Sequence, residues 1–270
     1  MSDPKIDPEK LLEMSPKDFR QLIRERTWRD ITLEACRGYV QLNLVMLPKD
    51  IAFEFLLFCN RNPQPCPVVE VTEPGNPHPK EMAPEADLRT DLPKYRVWKD
   101  GELINEPNEI TKYWRDDLVC FLLGCNRNFV WGLRAANVPF RRYGAYLATI
   151  PCVPAGRFHG PMVVSVWAFS NTHDAVRAVQ ISTRHPAGHG PPVYIGDPAA
   201  IGIHNLGAPD PMNPSRPVFD PPKPGEIVMC WGCGVTPQSV AVESKIPFMI
   251  THATMHMFVT DRRAEELAIL

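Results

Sequence analysis

Residues 226–251 have the sequence EIVMCWGCGVTPQSVAVESKIPFMIT, and this stretch indicates the fold class. The apolar run 226–231 predicts a strand, and the apolar run 247–251 predicts another. Between them, Pro237 in the first turn and the residues up to 243 predict a short helix. Strand, helix and strand in close succession are typical of sheets covered by helices.

The rest of the chain repeats this alternation of strands and helices. Strands are also predicted at 67–72, 94–98, 146–150, 161–168, 192–196 and 257–260, and helices at 16–26, 48–60, 108–123 and 172–183. The helical pattern is strongest in 108–123, where apolar residues recur at helical spacing. We therefore predict an α/β fold of mixed sheets with flanking helices.

Composition narrows the classes of function. The 270 residues are 44% hydrophobic and 22% charged, as in globular proteins. A net charge of −2 gives no broad basic surface for nucleic acid or anionic membrane, so neither is an expected partner. No apolar run is long enough to span a membrane, and the polar start of the chain does not resemble a signal peptide, so we expect a cytoplasmic protein.

Two motifs resemble metal sites but lack the remaining ligands. Cys230-Trp-Gly-Cys233 has the spacing of zinc or redox pairs, yet no second pair completes a zinc site. Close packing beside a pocket is the simpler interpretation of these thiols, and a redox role stays open. His252-Ala-Thr-Met-His256 lacks the glutamate of zinc peptidases and follows a predicted strand. We expect no metal and no cofactor, and His252 is a candidate proton shuttle or substrate donor.

Polar residues near two strand ends are candidates for catalysis. Asp197 follows the predicted strand 192–196, at a position where open α/β sheets bind ligands. The alternative is that Asp197 only caps a helix that begins at Pro198. We expect Asp197 to lie beside His189, on a strand that neighbours the strand of His252 in the sheet.

Two further segments are candidates for binding a carboxylate. The turn Gly234–Gln238 ends a strand and opens a helix, where backbone N–H groups suit an anion, although Thr236 is alternatively only the N-cap. Arg89 lies in a proline-rich loop and is placed either to clamp a carboxylate or to pair with Asp87 or Asp91.

The chain resembles the D-glutamate cyclase-like proteins, also called hydro-lyases, over nearly its whole length. The matching segments are 47–124, with Ala86-Asp-Leu-Arg-Thr-Asp-Leu-Pro93, then Ile150-Pro-Cys-Val-Pro-Ala-Gly156, His189-Gly190, Ile195-Gly-Asp-Pro198, Cys233-Gly-Val-Thr-Pro-Gln238 and Ile250-Thr-His-Ala253. The resemblance implies two interlocked lobes in one unit of residues 1–270, with an inner lobe of about 118–198. It also implies water elimination, as in the closure of D-glutamate to 5-oxo-D-proline.

Several polar pocket motifs depart from the family pattern. After Gly-Cys the family has Ser-Phe-Ser-Phe-Glu, but here Cys125 is followed by Asn126-Arg-Asn-Phe-Val130. Trp167 stands near a position where the family has an arginine, Tyr194 replaces a usual histidine, and Thr254-Met255 replaces Pro-Gly before His256. Scaffold motifs thus persist while pocket motifs change, which is the pattern that a new substrate would produce.

The sequence therefore predicts a lyase or cyclase of the hydro-lyase type. Its substrate is expected to be a small carboxylate, larger and less charged than glutamate and not D-glutamate itself. Asp197, His252 and His189 would move protons, and the substrate-binding residues would be Arg89, Thr236, Gln238, Cys233, Asn126, Trp167, Tyr194 and His256. The rival hypothesis is a non-catalytic ligand-binding relative that kept the fold. The sequence leaves the oligomeric state open, with a homodimer among the alternatives.

Overall fold

The structure is a computed structural model that describes residues 6–210 and 220–269. Its α-helices are α1 (Pro8–Glu13), α2 (Pro16–Arg24), α3 (Lys49–Arg61), α4 (Arg127–Ala135), α5 (Thr172–Thr183) and α6 (Thr236–Glu243). Its strands are β1 (Tyr39–Pro48), β2 (Val68–Val71), β3 (Tyr95–Lys99), β4 (Glu102–Asn105), β5 (Leu118–Gly124), β6 (Arg141–Pro151), β7 (Pro161–Phe169), β8 (Tyr194–Ile195), β9 (Ile227–Gly232), β10 (Phe248–His252) and β11 (Phe258–Arg263).

The larger sheet is built around β1. Its order is β2-β5-β1-β10-β3-β4, and β11 pairs with the first part of β1, ahead of the segment that pairs with β10. Alternate residues of β1 enter two different cores, since Leu42 and Leu44 pack in one and Val45 and Leu47 in the other. This sheet is therefore covered on both faces.

The smaller sheet has the order β6-β7-β9-β8. Its strands come from 141–195 and from 227–232, whereas β5 belongs to the larger sheet. Val164, Val166 and Cys230 of this sheet share a core with Val45 and Leu47 of the larger one. The prediction of an α/β fold with flanking helices is confirmed, and the strand pairs in both sheets are antiparallel, so the sheets are not mixed.

The prediction of a helix over 108–123 was wrong. A short 3₁₀ helix occupies Thr111–Tyr113, and Leu118–Gly124 forms strand β5 between β1 and β2. All seven residues of β5 are buried, so the strand is a continuous apolar run that mimics helical spacing. Strand β1 and helix α4 were not predicted. Among the described residues, no helix is long and apolar enough to cross a membrane.

Candidate functional site

A small cavity lies where the two sheets meet, and we call it the interlobe cavity. Its volume is about 30 Å³, which is room for about two water molecules. It is lined by Leu33, Asn43, Cys125, Asn126, Arg142, Ala145, His189, Cys233, Gly234, Val235, His252, Thr254, Met255 and Met257. Of the residues that the sequence singled out, Asn126, His189, Cys233 and His252 therefore come together here.

Two strand-to-helix turns supply one side of the cavity. Strand β5 leads through Cys125 and Asn126 into α4, and β9 leads through Cys233 into α6. Neither helix has a side-chain N-cap. The first N–H groups of an α-helix have no partner within the helix and carry a partial positive charge. The N–H groups of Asn128 and Phe129 in α4, and of Thr236 and Gln238 in α6, already donate to backbone carbonyls. The two helix starts therefore favour an anion in the cavity through the helix dipole.

The two thiols at these turns are protonated near neutral pH. Burial raises the pKa of Cys233 to about 11, although the Val235 N–H and the Arg142 guanidinium oppose the shift. Burial likewise raises the pKa of Cys125 against the Arg127 N–H and Arg142. Because a thiolate is the nucleophilic form of cysteine, neither thiol is activated for attack.

The turns approach each other too closely for a side chain at Gly234. A Cβ atom there would lie 1.9 Å from Nδ2 of Asn43. Asn43 is itself buried and donates from Nδ2 to the Gly124 carbonyl at 2.5 Å. The glycine and the asparagine thus fix the spacing between the two turns.

Arg142 contributes a positive charge to the cavity lining. Its guanidinium lies 5.9 Å from the centroid of the Trp167 ring, and its Nε is buried without a hydrogen-bond partner among the described residues. Its side chain also forms no ion pair within that part of the chain. Arg142 is half-buried and its Nε lacks an acceptor among the described residues, so the side chain is placed to bind a carboxylate.

His189 presents a proton acceptor to the cavity. Its Nδ1 lies 2.6 Å from the Gln64 carbonyl oxygen, which only accepts, so Nδ1 carries the proton and donates. In the neutral ring Nε2 then keeps its lone pair. Burial lowers the pKa of His189 to about 4, so the ring is neutral near pH 7. The backbone φ of His189 is +82°, because His189 is the left-handed C-cap residue of the 3₁₀ helix Pro186–Gly188.

His252 presents a proton donor to the same cavity. Its Nδ1 accepts from the Leu44 N–H at 3.2 Å, and the Leu44 carbonyl lies farther away, at 3.4 Å. The contact with the N–H, which can only donate, is the shorter of the two, and we therefore assign the proton of the neutral ring to Nε2. That nitrogen is buried and has no partner among the described residues. Burial lowers the pKa of His252 to about 3.

A buried polar chain holds the backbone of His252. Gln238 donates from Nε2 to the His252 carbonyl at 3.0 Å and accepts from Arg96 at 2.7 Å. Arg96 in turn pairs with Glu106 at 2.9 Å. Gln238 therefore positions His252 from behind and does not itself line the cavity.

Thr236 is occupied by the protein itself. Its hydroxyl donates to the Cys233 carbonyl at 2.7 Å and accepts from the Val163 N–H at 3.1 Å. It therefore joins α6 to β7, and it is not the N-cap residue of α6, a position that Val235 takes.

Asn126 links the cavity to an aromatic cluster. It donates from Nδ2 to Ser165 Oγ at 3.3 Å, and Trp167 Nε1 donates to the same oxygen at 3.0 Å. Trp167 packs with Phe129, Phe140 and Trp231 and does not line the cavity.

Four other candidates lie outside the cavity lining. Arg89 pairs with Asp87 at 2.7 Å and lies 5.7 Å from the Trp114 ring centroid. Tyr194 is on β8, paired with Cys230, and the half-buried His256 places Nδ1 2.8 Å from the Thr254 carbonyl. Asp197 accepts from the Ala199 N–H at 3.0 Å and caps a 3₁₀ helix, Pro198–Ile201, beside a different surface cavity.

The expectation that Asp197 and His252 lie on neighbouring strands was wrong. Asp197 follows β8 of the smaller sheet, whereas His252 ends β10 of the larger one. The sequence showed two strand ends but not which sheet each strand enters. The two cysteines of Cys230-Trp-Gly-Cys233 also separate, because Cys230 packs in the core between the sheets and Cys233 lines the cavity. No group of three potential metal ligands occurs among the described residues.

Arg142 and Asn43 were not among the candidates from sequence. Both are polar residues inside strands, and the alternation of side chains along a strand was the available signal. Arg141 pairs with Glu226 on one face of β6, so the adjacent Arg142 faces the other way.

Comparison with known proteins identifies the family of this fold and site. The family model described as D-glutamate cyclase matches residues 119–261. A putative hydro-lyase of Geobacillus kaustophilus is 51% identical over 95% of this chain and 98% of its own. The putative hydro-lyase YcsI of Bacillus subtilis is 49% identical over 95% of this chain and all of its own, and a putative hydro-lyase of Stutzerimonas stutzeri is 43% identical over 96% and 97%. The chain belongs to the D-glutamate cyclase family of hydro-lyases and cyclases.

Proposed function

We propose that this protein is a hydro-lyase that removes water from a small hydroxycarboxylate bound in the interlobe cavity. One observation carries the proposal: His189 and His252 present opposite proton states to the same cavity, beside Arg142, which has no ion-pair partner among residues 6–210 and 220–269. Water elimination needs a base that takes the proton from carbon and returns it to the leaving oxygen, and a hydrogen-bond donor for the negative charge that develops on the carboxylate.

The lining favours a carboxylate that carries no ammonium group. Arg142 and the uncapped starts of α4 and α6 all favour negative charge. No Asp or Glu occurs among the described residues of the lining, so an ammonium group in the cavity would have no carboxylate of the lining beside it. This supports the expectation that D-glutamate is a poor substrate.

The residues divide the reaction between them. Arg142 and the helix starts hold the carboxylate, and His189 Nε2 takes the proton from the carbon next to it. His252 Nε2–H donates a hydrogen bond to the carboxylate oxygen on which negative charge grows. The C–O bond to the leaving hydroxyl then breaks, a C=C bond forms, and His189 returns its proton to that oxygen, so water leaves. A bound anion raises the pKa of both rings and makes His189 a better base.

The cavity must widen to admit an organic substrate, because about 30 Å³ accommodates only water. Leu33, Met255 and Met257 are the flexible apolar members of its lining. The sequence-based expectation of a substrate larger than glutamate rested on Trp167 and Val130, and neither residue lines the cavity. We therefore propose a substrate no larger than glutamate.

The test is a screen of small 3-hydroxycarboxylates in D₂O, with D-glutamate included. NMR would follow the unsaturated product and the exchange of the proton next to the carboxylate. We expect turnover of at least one hydroxy acid that exceeds turnover of D-glutamate and that, at substrate concentrations below KM, falls by about tenfold or more in Arg142→Gln. Robust turnover of D-glutamate, with none of the hydroxy acids converted, would contradict the proposal. If hydroxy acids bind saturably but neither proton exchange nor an unsaturated product is observed, the result would favour the rival hypothesis of a non-catalytic ligand-binding protein.

A further inference from the structure

A second, larger cavity lies on the other side of α4, and we call it the arginine groove. It has a volume of about 1010 Å³ and shares no lining residue with the interlobe cavity. Helices α4 and α5 form its walls, together with the turn before β1 and the residues that follow β11. Its size matches that of sites for cofactor-sized ligands.

The groove concentrates positive charge in a chain whose net charge is −2. Its lining contains one acidic residue, Glu265, and five arginines: Arg37, Arg134, Arg177, Arg184 and Arg263. Side chains of the same sign repel one another, so such a cluster costs stability unless an anion joins it.

Two of these arginines have no anion of the protein beside them. The Arg37 and Arg177 side chains form no ion pair and no hydrogen bond within the described part of the chain. Arg37 is exposed and Arg177 is partly buried, so both guanidinium groups are available to a ligand.

The other three arginines have hydrogen-bond partners within the protein. For two of them, Arg184 and Arg263, a partner is a backbone carbonyl group, which is neutral and does not cancel the positive charge. Arg184 donates from Nε to the Ile269 carbonyl at 3.1 Å. Arg263 donates from Nη1 to the Arg37 carbonyl at 3.1 Å and lies 4.7 Å from the Tyr39 ring centroid, with Glu265 farther away at 3.5 Å. Arg134 pairs with Glu34 and stacks on Trp131 at 5.1 Å.

The floor of the groove is apolar and retains unpartnered polar atoms. Ile181, Ala135 and Ala264 contribute apolar surface. Trp131 Nε1 and His185 Nδ1 are buried and have no hydrogen-bond partner among the described residues. An apolar surface with a few convergent polar atoms and a cationic rim is typical of a site for an organic anion.

We propose that the arginine groove binds a polyphosphate anion, either inorganic or carried by a nucleotide. Guanidinium groups match phosphate oxygens with two parallel hydrogen bonds, and several arginines around one groove suit a ligand that carries several charges. A single carboxylate would leave most of this charge unpaired. The site is separate from the proposed catalytic cavity and does not depend on it.

The experiment is calorimetric titration of the full chain with ATP and, separately, with inorganic triphosphate at low ionic strength. We expect saturable binding that weakens as salt is added. Arg37→Gln/Arg177→Gln should weaken it by about tenfold or more. The control Arg26→Gln/Arg29→Gln changes two exposed arginines outside the groove and should bind as the unchanged protein does. A thermal melt verifies folding, and the single variant Arg37→Gln replaces the double variant if that one is unstable.

Tighter binding of ATP than of triphosphate would identify a nucleotide, and equal binding would identify inorganic polyphosphate. The proposal is overturned if neither probe binds, or if the groove variant and the control bind equally well. Tighter binding of a polyglutamate peptide than of either probe would also overturn it, because the groove would then recognise acidic protein segments.

Discussion

His189 and His252 present opposite hydrogen-bonding states of the imidazole ring to one cavity. His189 donates from Nδ1 to the Gln64 carbonyl, which leaves Nε2 as an acceptor. His252 accepts at Nδ1 from the Leu44 N–H, which leaves Nε2–H as a donor. The position of Leu44 in strand β1 explains the hydrogen bond to His252. Leu44 lies between the residues of β1 that pair with β11 and those that pair with β10. Its N–H therefore donates to the His252 ring and not to the backbone of a neighbouring strand.

Replacement of either histidine should stop turnover without unfolding the protein. His189→Asn keeps a residue that tolerates the positive φ, and His252→Gln keeps a polar side chain of similar reach. Each should lower kcat by about 10²–10⁴-fold, the range for loss of a general acid or base. Steady-state kinetics on a converted hydroxy acid provides the measurement. His173→Gln, on the exposed first turn of α5, is the control and should behave as the unchanged protein does.

Arg142 should govern affinity for the carboxylate. Arg142→Gln removes the unpaired guanidinium and should raise KM by about tenfold or more, since a hydrogen bond to a charged group contributes about 1.5–3 kcal/mol. Arg142→Lys keeps the positive charge but loses the planar guanidinium group that can form two parallel hydrogen bonds with a carboxylate. Its KM should therefore lie between the KM of the unchanged protein and that of Arg142→Gln. The control is Arg26→Gln, far from this cavity. If KM stays unchanged in Arg142→Gln, the carboxylate binds elsewhere.

Stability should fall as the pH drops below neutrality. The unfolded chain takes up a proton at each histidine near the usual pKa of 6.5, whereas burial lowers the folded pKa of His189 to about 4 and that of His252 to about 3. Between the folded and the unfolded pKa, the unfolded state therefore binds more protons than the folded state. The contribution of the neutral His189 ring to the free energy of unfolding is fully present above pH 6.5 and is lost as the pH falls towards 4. Urea titrations at about pH 7 and about pH 5 give the free energy of unfolding at each pH. Between these two pH values, the free energy of unfolding of His189→Asn should fall by about 1–2 kcal/mol less than that of the unchanged protein. Equal losses in both proteins would mean that His189 titrates normally.

Gly234 should tolerate no side chain while Asn43 is present. A Cβ atom would displace Asn43 Nδ2 from the Gly124 carbonyl, so Gly234→Ala should cost about 1–3 kcal/mol of unfolding free energy. Asn43→Ala makes room, and the double variant should lose less than the sum of the single losses. Gly207→Ala, at an exposed turn, is the control. Additive losses would show that the two residues do not collide.

The sequence predicted the strand–helix alternation well where apolar runs end at clear turn signals. Helices α2, α3, α5 and α6 lie close to their predicted positions. The error at residues 108–123 has a clear physical cause. Strand β5 is buried on both faces, so its apolar residues showed no period of two, and its pattern matched a helix instead.

The site was only partly predictable because it combines two sheets. Local motifs identified His189, Cys233 and His252, each of which follows or ends an element. Asp197 also ends a strand, but no local pattern shows that its strand enters the other sheet. Arg142 was missed because strand β6 was predicted to begin only at residue 146, so the faces of Arg141 and Arg142 were not assigned.

Long-range ¹H–¹⁵N NMR correlation on the protein with ¹⁵N-labelled histidine tests the proton states directly, without a substrate. The spectra of His189→Asn and His252→Gln assign the two rings. At neutral pH we expect both rings to be neutral, with the proton of His189 on Nδ1 and the proton of His252 on Nε2. The same tautomer in both rings, or a charged ring at either position, would contradict the acceptor and donor roles on which the proposed elimination rests.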